Sequence, residues 1–180
     1  GPRFNTMFLK MSKFHWIGVG LGILAIAILF YRYLVHDGDF DVYWAATFRY
    51  VHGLKIHIYE QNVFTYPTFA SFMLLPVYPL GYTGGKILFF AVNVIFLVGA
   101  VYVCQREVLY GSAVRAATLV IALLFSFRSI LAVFNNQQTD ILIFGLIIFG
   151  LAAFARMPVL ASTLMAIAAG LKANPLFMVL

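Results

Sequence analysis

The sequence predicts an all-α membrane protein: a polytopic bundle of about five transmembrane helices, with amphipathic juxtamembrane helices in its first extracytoplasmic loop. Composition is the first reason. Hydrophobic residues make up 63% of the chain and charged residues 10%, where a soluble domain holds about 45–50% and about 25%. The second is that several apolar runs approach or exceed the ~20 residues that cross a bilayer as a helix. The third is that none of them alternates as a membrane strand would. The net charge of +6 comes from 12 lysines and arginines scattered at the ends of apolar runs. With no basic stripe, they argue for interfacial anchoring and topology and against a nucleic-acid partner. Cys104 is the only cysteine, which excludes an intrachain disulfide and a cysteine-rich metal site.

Residues 1–6, "GPRFNT", read as an expression scar ahead of Met7 and are set aside. A first helix is expected over about 14–34. Its apolar core is too long for a signal peptide and no small-residue cleavage site follows. Lys10 and Lys13 precede it, so its N-terminus is expected in the cytoplasm and the loop after it outside. That loop runs over about 36–85. Phe40, Trp44, Phe48 and Val51 recur at helical spacing, with Asp41, Arg49 and His52 elsewhere, which predicts an amphipathic surface helix ended by Gly53. The stretch 66–82 is apolar but interrupted by Pro67, Pro76 and Pro79, and is expected as a second juxtamembrane element. Further spanning helices are expected over about 86–104, 113–134, 140–155 and 158–180. Counting charges does not separate five spans from six. Five spans put "HDGDFD", "NNQQTD" and Lys172 on one face, and six would split them.

The chemistry concentrates in the first loop. Asp37, Asp39 and Asp41 are three of only 6 acidic residues. Mutual repulsion and a low-dielectric neighbour both raise a carboxylate pKa, which suits a proton acceptor near neutral pH. The competing role for Asp37 or Asp39 is a cap on the surface helix. Asp39 and Tyr43 lie four apart, on one helical face. A metal held by His36, Asp39 and Asp41 would lack a fourth nearby ligand, and none is expected. The same loop carries His52, His57, Tyr50, Tyr59 and Tyr66, a density suited to membrane anchoring or to a sugar-binding cleft. Asn135, Asn136, Gln137 and Gln138 offer neutral donors and acceptors for a hydroxyl-rich ligand. Asp140 opens an apolar helix, and Lys172 and Arg128 sit in apolar runs, where ionisable groups are candidates for function. A lysine so placed usually has an anionic partner or snorkels to the interface, and a phosphate, Asp140 or a further segment are the candidate partners. A transport or scaffold protein that uses Asp140, Lys172 and the amide cluster as a polar pathway is the other class of function these residues allow.

The order of these features resembles the integral membrane glycosyltransferases of the C superfamily. A first helix is followed by "GDFDVYWAA", Gly53, Tyr59, "FTYP", "QQTD" and "LKANPLF". The chain is most similar, from about residue 14 onward, to glycosyltransferase family 87, a polyprenyl-phosphate-dependent, mannosyltransferase-like group of cell-envelope glycan or glycolipid enzymes. The resemblance implies that this is the N-terminal transmembrane module of a larger enzyme, residues 7–180, inactive alone and completed by further helices. It implies Asp39 as catalytic base, in a D-x-x-V-Y pattern with Val42 and Tyr43. Asp41, Tyr43, His57, Tyr59, Tyr66, Gln138 and Asp140 are then expected to bind substrate, and Lys172, ahead of Arg128, the lipid phosphate. The family's Tyr-Pro-Pro stands here as Tyr66-Pro67-Thr68, its Gly-Gln as Gln137-Gln138, and its Lys-x-x-Pro as Lys172 and Pro175. The implied reaction is inverting transfer of a hexose or pentose from a polyprenyl-phosphate donor to a glycan or glycolipid acceptor, outside the inner membrane, with no cofactor.

Overall fold

A computed structural model describes residues 13–56, 68–108 and 115–172. Over these the chain is all-helical. Helix α1 spans Lys13–Val35, α2 Asp39–Val51, α3 Thr68–Phe72, α4 Gly81–Val103, α5 Arg115–Asn135, α6 Asp140–Ala153 and α7 Pro158–Leu171. A 3₁₀ segment, Leu75–Leu80, leads into α4, and a π-helical turn, Cys104–Val108, follows it.

Helix α6 is the packed centre. It is apolar on all sides and buries most of its circumference, with Ile141, Leu142, Ile143 and Leu146 inside and Phe144 and Leu151 on its one exposed face. Helices α4 and α7 pack against it, and α1 meets α4 and α5, with Phe30 and Tyr33 near its C-terminus against Phe90. Leu21, Ile23, Leu24, Ile26 and Ile28 of α1, and Leu124, Phe125 and Phe127 of α5, are exposed. Apolar patches of that extent mark surfaces that meet a membrane or another protein. By length and composition, Leu75–Arg106 could cross a bilayer alone, and Gly20–Val35 with Asp39–Val51 could do so as one pair bent by 48°. Helices α6 and α7 are shorter, at 14 residues each, and among the described residues one or two candidate spans stand where about five were expected.

The structure corrects several expected boundaries. Helix α4 begins at Gly81, not near residue 86, because the 3₁₀ segment with Pro76 and Pro79 leads directly into it. The stretch 66–82 is therefore, where described, the short α3 and the approach to α4. Helix α7 ends at Leu171 instead of running toward 180, and Lys172 is already extended at φ −150° and ψ 128°. Pro175 accounts for this, since a helix continued through it would drive the proline ring against the carbonyl of Leu171.

The helix expected in the first loop is α2, but its packed face differs from the expected stripe. Phe40, Tyr43, Ala46 and Thr47 are buried, while Phe48 and Val51 are exposed. The face is set by what covers it. Phe40 and Tyr43 meet Phe89 of α4, and Trp44 stacks on Tyr78. Gly53 ends the helix as expected, at φ +66°. Leu54 N–H donates to the Arg49 carbonyl at 2.8 Å and Gly53 N–H to that of Tyr50 at 3.1 Å, the paired bonds of a Schellman stop.

Candidate functional site

The junction between α1 and α2 is where the acidic turn is held. Gly38 is the N-cap of α2, the place expected of Asp37 or Asp39. Asp41, at the third helical position, closes back on it: its Oδ2 accepts Gly38 N–H at 2.9 Å. Its Oδ1 accepts the hydroxyl of Tyr82, from the first turn of α4. Asp39 and Asp41 in the first turn also sit favourably against the helix dipole. Asp39 N–H donates to the Asn136 carbonyl at 2.9 Å. That bond ties the head of α2 to the turn joining α5 to α6. Gly38 is required there by space, since a Cβ would lie 2.8 Å from the Asn136 oxygen.

The turn in question, residues 136–139, is itself unusual. Gln137 has φ 56°, a left-handed conformation that costs a residue with a side chain about 1–2 kcal/mol. Its side chain is wholly buried. Nε2 donates to the carbonyls of Tyr33 at 2.8 Å and His36 at 2.6 Å, the open acceptors that end α1. A second donor reaches the same His36 oxygen: Lys86 Nζ, from α4, at 2.8 Å. Lys86 is 2% exposed. It also donates to the Tyr82 hydroxyl at 3.2 Å and lies 5.4 Å from the centre of that ring. A cation at a helix C-terminus is favourable, but burying one costs several kcal/mol before partners are counted.

The second ion site joins α6 to the end of α7. Asp140 opens α6, and its Oδ1 accepts from Lys172 Nζ at 2.6 Å, with each side chain about one-third exposed. Asp140, one of the partners foreseen for Lys172, is the one it meets here. Beside this pair a cleft of about 310 Å³ lies between α4, α5 and α6, lined by residues such as Leu97, Ser126, Ile130, Asp140 and Phe144.

The structure thus brings together Asp39, Asp41, the 136–139 turn with Gln138, and, through Asp140, Lys172. Tyr43 is fully buried, edge-on to Phe89, inside the core. Arg128 is exposed on α5, seven residues or about 10 Å before its end at Asn135. His57, Tyr59 and Tyr66 lie outside the described residues. Among the described residues no three histidine, cysteine or acidic side chains gather as metal ligands would. Lys86 and Tyr82 were not foreseen as site residues, and Gln137 was expected to face a hydroxyl-rich ligand, where the structure buries it against the end of α1. Lys86 counts, in sequence, as an ordinary flanking charge. Gln137 carried a signal, because it occupies the glycine of the family's Gly-Gln pattern, and a left-handed backbone is what glycine adopts without strain.

An apolar helical bundle with exposed apolar faces and a helix long enough to span a bilayer is of the kind found in membrane proteins. The chain belongs to glycosyltransferase family 87, a membrane family of the C superfamily, whose profile matches residues 64–180. The match lies beyond α1 and α2, so the acidic turn is outside it. No curated protein and no solved structure matches the chain. Family membership makes this a glycosyltransferase with a sugar donor and an acceptor as substrates.

Proposed function

We propose that the chain is the N-terminal module of a multi-pass inner-membrane enzyme that transfers a sugar, mannose or a related hexose or pentose, from a polyprenyl-phosphate donor to an extracytoplasmic glycan or glycolipid. Asp39 is the base. The carboxylate takes the proton of an acceptor hydroxyl, and the hydroxyl oxygen attacks the anomeric carbon. The bond from that carbon to the phosphate oxygen breaks, the electron pair leaves with the polyprenyl phosphate, and the anomeric centre inverts.

The observation that carries the assignment is the bond from Asp39 N–H to Asn136. It sets the acidic turn beside the amide-rich turn that would receive sugar hydroxyls. Asp41 has both carboxylate oxygens engaged, by Tyr82 and by Gly38, and serves as the strut of the turn. Lys172 is the cation for the leaving phosphate. The negative charge that develops on the phosphate needs such a group, and Lys172 would exchange its Asp140 partner for it. A lipid-linked donor also fits an apolar cleft with Asp140 on its wall.

The test is transfer by the intact protein in nanodiscs from radiolabelled polyprenyl-phosphate mannose. Asp39→Asn is expected to lower turnover by about 10²–10⁴-fold, the usual share of a general base, with donor binding retained. Normal turnover in that variant sinks the base. No binding of any prenyl-phosphate sugar turns the reading toward a polar pathway for transport.

A further inference from the structure

We infer that Lys86, Tyr82 and Gln137 are positioning residues, which fix the α1–α2 junction so that the Asp39 carboxylate keeps one orientation toward the acceptor hydroxyl; this rests on the reading of Asp39 as the base.

Two residues that are poor choices for stability converge on one atom. Lys86 is buried, and among the described residues no carboxylate forms an ion pair with it. Its partners are the His36 carbonyl and the Tyr82 hydroxyl. A methionine would fill the same volume with no charge to desolvate, and such replacements of buried charges are often neutral or stabilising. Gln137 is buried in a left-handed conformation, and its Oε1 has no hydrogen-bond partner among the described residues. Glycine would remove the backbone strain. Strain and desolvation of this kind persist where the surroundings over-determine them, which is characteristic of functional sites.

What the two residues secure is direction. The His36 oxygen takes Gln137 Nε2 from the 136–139 turn and Lys86 Nζ from α4. Donors from two different elements hold that carbonyl against rotation three residues before Asp39. On the far side of Asp39, Tyr82 holds Asp41, and Lys86 in turn holds Tyr82. The base therefore sits between two anchors that share one lysine, while Asn136 fixes its own backbone N–H. None of the three residues needs to touch substrate for a small rotation of this turn to misplace the carboxylate, and misplacement by about 1 Å can lower a rate by about a hundredfold.

The test uses the intact protein in nanodiscs carrying Tyr82→Phe, Lys86→Met, Lys86→Arg or Asp39→Asn. Turnover is measured beside equilibrium binding of polyprenyl-phosphate mannose and thermal midpoints. Tyr82→Phe keeps the ring contacts with Phe40 and Trp44 and removes only the hydroxyl. Tyr82→Phe and Lys86→Met are expected to lower kcat by about tenfold to a hundredfold, with donor Kd within twofold and the midpoint of Lys86→Met unchanged or raised. Lys86→Arg recovers most of the rate. In an Asp39→Asn background Lys86→Met has no further effect, because the group it positions is already gone. Unchanged kcat in both Tyr82→Phe and Lys86→Met overturns the inference. So does a donor Kd that weakens in step with kcat, which would make these residues substrate contacts. Normal turnover in Asp39→Asn removes the base assignment by itself. A Tyr82→Phe defect beside it would keep the positioning role and make Asp41 the group held.

Discussion

Lys86 and Lys172 are the same residue in two different physical situations. Lys172 is about one-third exposed and meets a carboxylate directly, 2.6 Å away. A pair that wet is worth about 0–1 kcal/mol, so its lysine can turn to a stronger anion. Lys86 is 2% exposed and meets a carbonyl and a phenol. Its ammonium has nowhere else to go, because leaving these acceptors would strand a charge in a low-dielectric interior. The exposed lysine is suited to exchange partners during a reaction cycle and the buried one to hold a fixed geometry.

The largest expected effect tests the fixed side of that contrast. Gly38 has φ −166°, extended backbone open to any residue, so Gly38→Ala acts only through contact with the Asn136 oxygen and Gln137. The 136–139 turn must give way, carrying with it the bonds to Asp39 and His36. A loss of about 1–3 kcal/mol of stability is expected, as for an overpacked interior, with transfer down by about a hundredfold or more. Gly53→Ala is the control: φ is +66° there, with nothing within 4 Å of a new Cβ. It should lose about 1 kcal/mol and keep its transfer rate. Equal loss of transfer in both variants, measured beside their melting midpoints, would show that the junction has no special hold on the reaction.

The exchangeable side predicts a smaller and opposite pattern. Lys172→Met and Asp140→Asn should each change stability by less than about 1 kcal/mol. Donor affinity separates them. Lys172→Met weakens it by about tenfold or more, the worth of a charge-assisted hydrogen bond, while Asp140→Asn strengthens it by releasing the lysine. If Asp140→Asn weakens binding as much as Lys172→Met, Lys172 is as locked as Lys86 and the contrast fails.

The legible features are those set by local pattern. Apolar composition gave the helical membrane class, and the spacing in "DFDVYWAATFRYV" with Gly53 after it gave α2 and its stop. Lys172 stood out as an ionisable group inside an apolar run. What sequence did not reveal depends on distant contacts. The buried stripe of α2 is chosen by Phe89 and Tyr78, and the burial of Lys86 exists only because the end of α1, 50 positions earlier, lies across it. The capping role of Gln137 is likewise a contact across about a hundred residues, with Tyr33 and His36. Only its left-handed backbone had a trace in sequence, as the position where the family's pattern has glycine.

The smallest effect is expected at Arg128. It is exposed on α5, makes no ion pair among the described residues, and stands about 10 Å along the helix from the turn that holds the site. Arg128→Gln should therefore change stability by no more than about 0.5 kcal/mol, as for surface positions outside special contacts. Its effect on donor affinity should be under about threefold, which equilibrium binding of a polyprenyl-phosphate sugar would resolve. A loss as large as that of Lys172→Met would mean that α5 moves toward the donor when it binds, placing Arg128 on the phosphate. The leaving group would then be met by two exchangeable cations instead of one. The contrast between Lys86 and Lys172 would survive that result. The charge that stabilises the departing phosphate would no longer be assigned to a single side chain, and the Lys172→Met defect should then be partial, with the remainder lost only in the double variant.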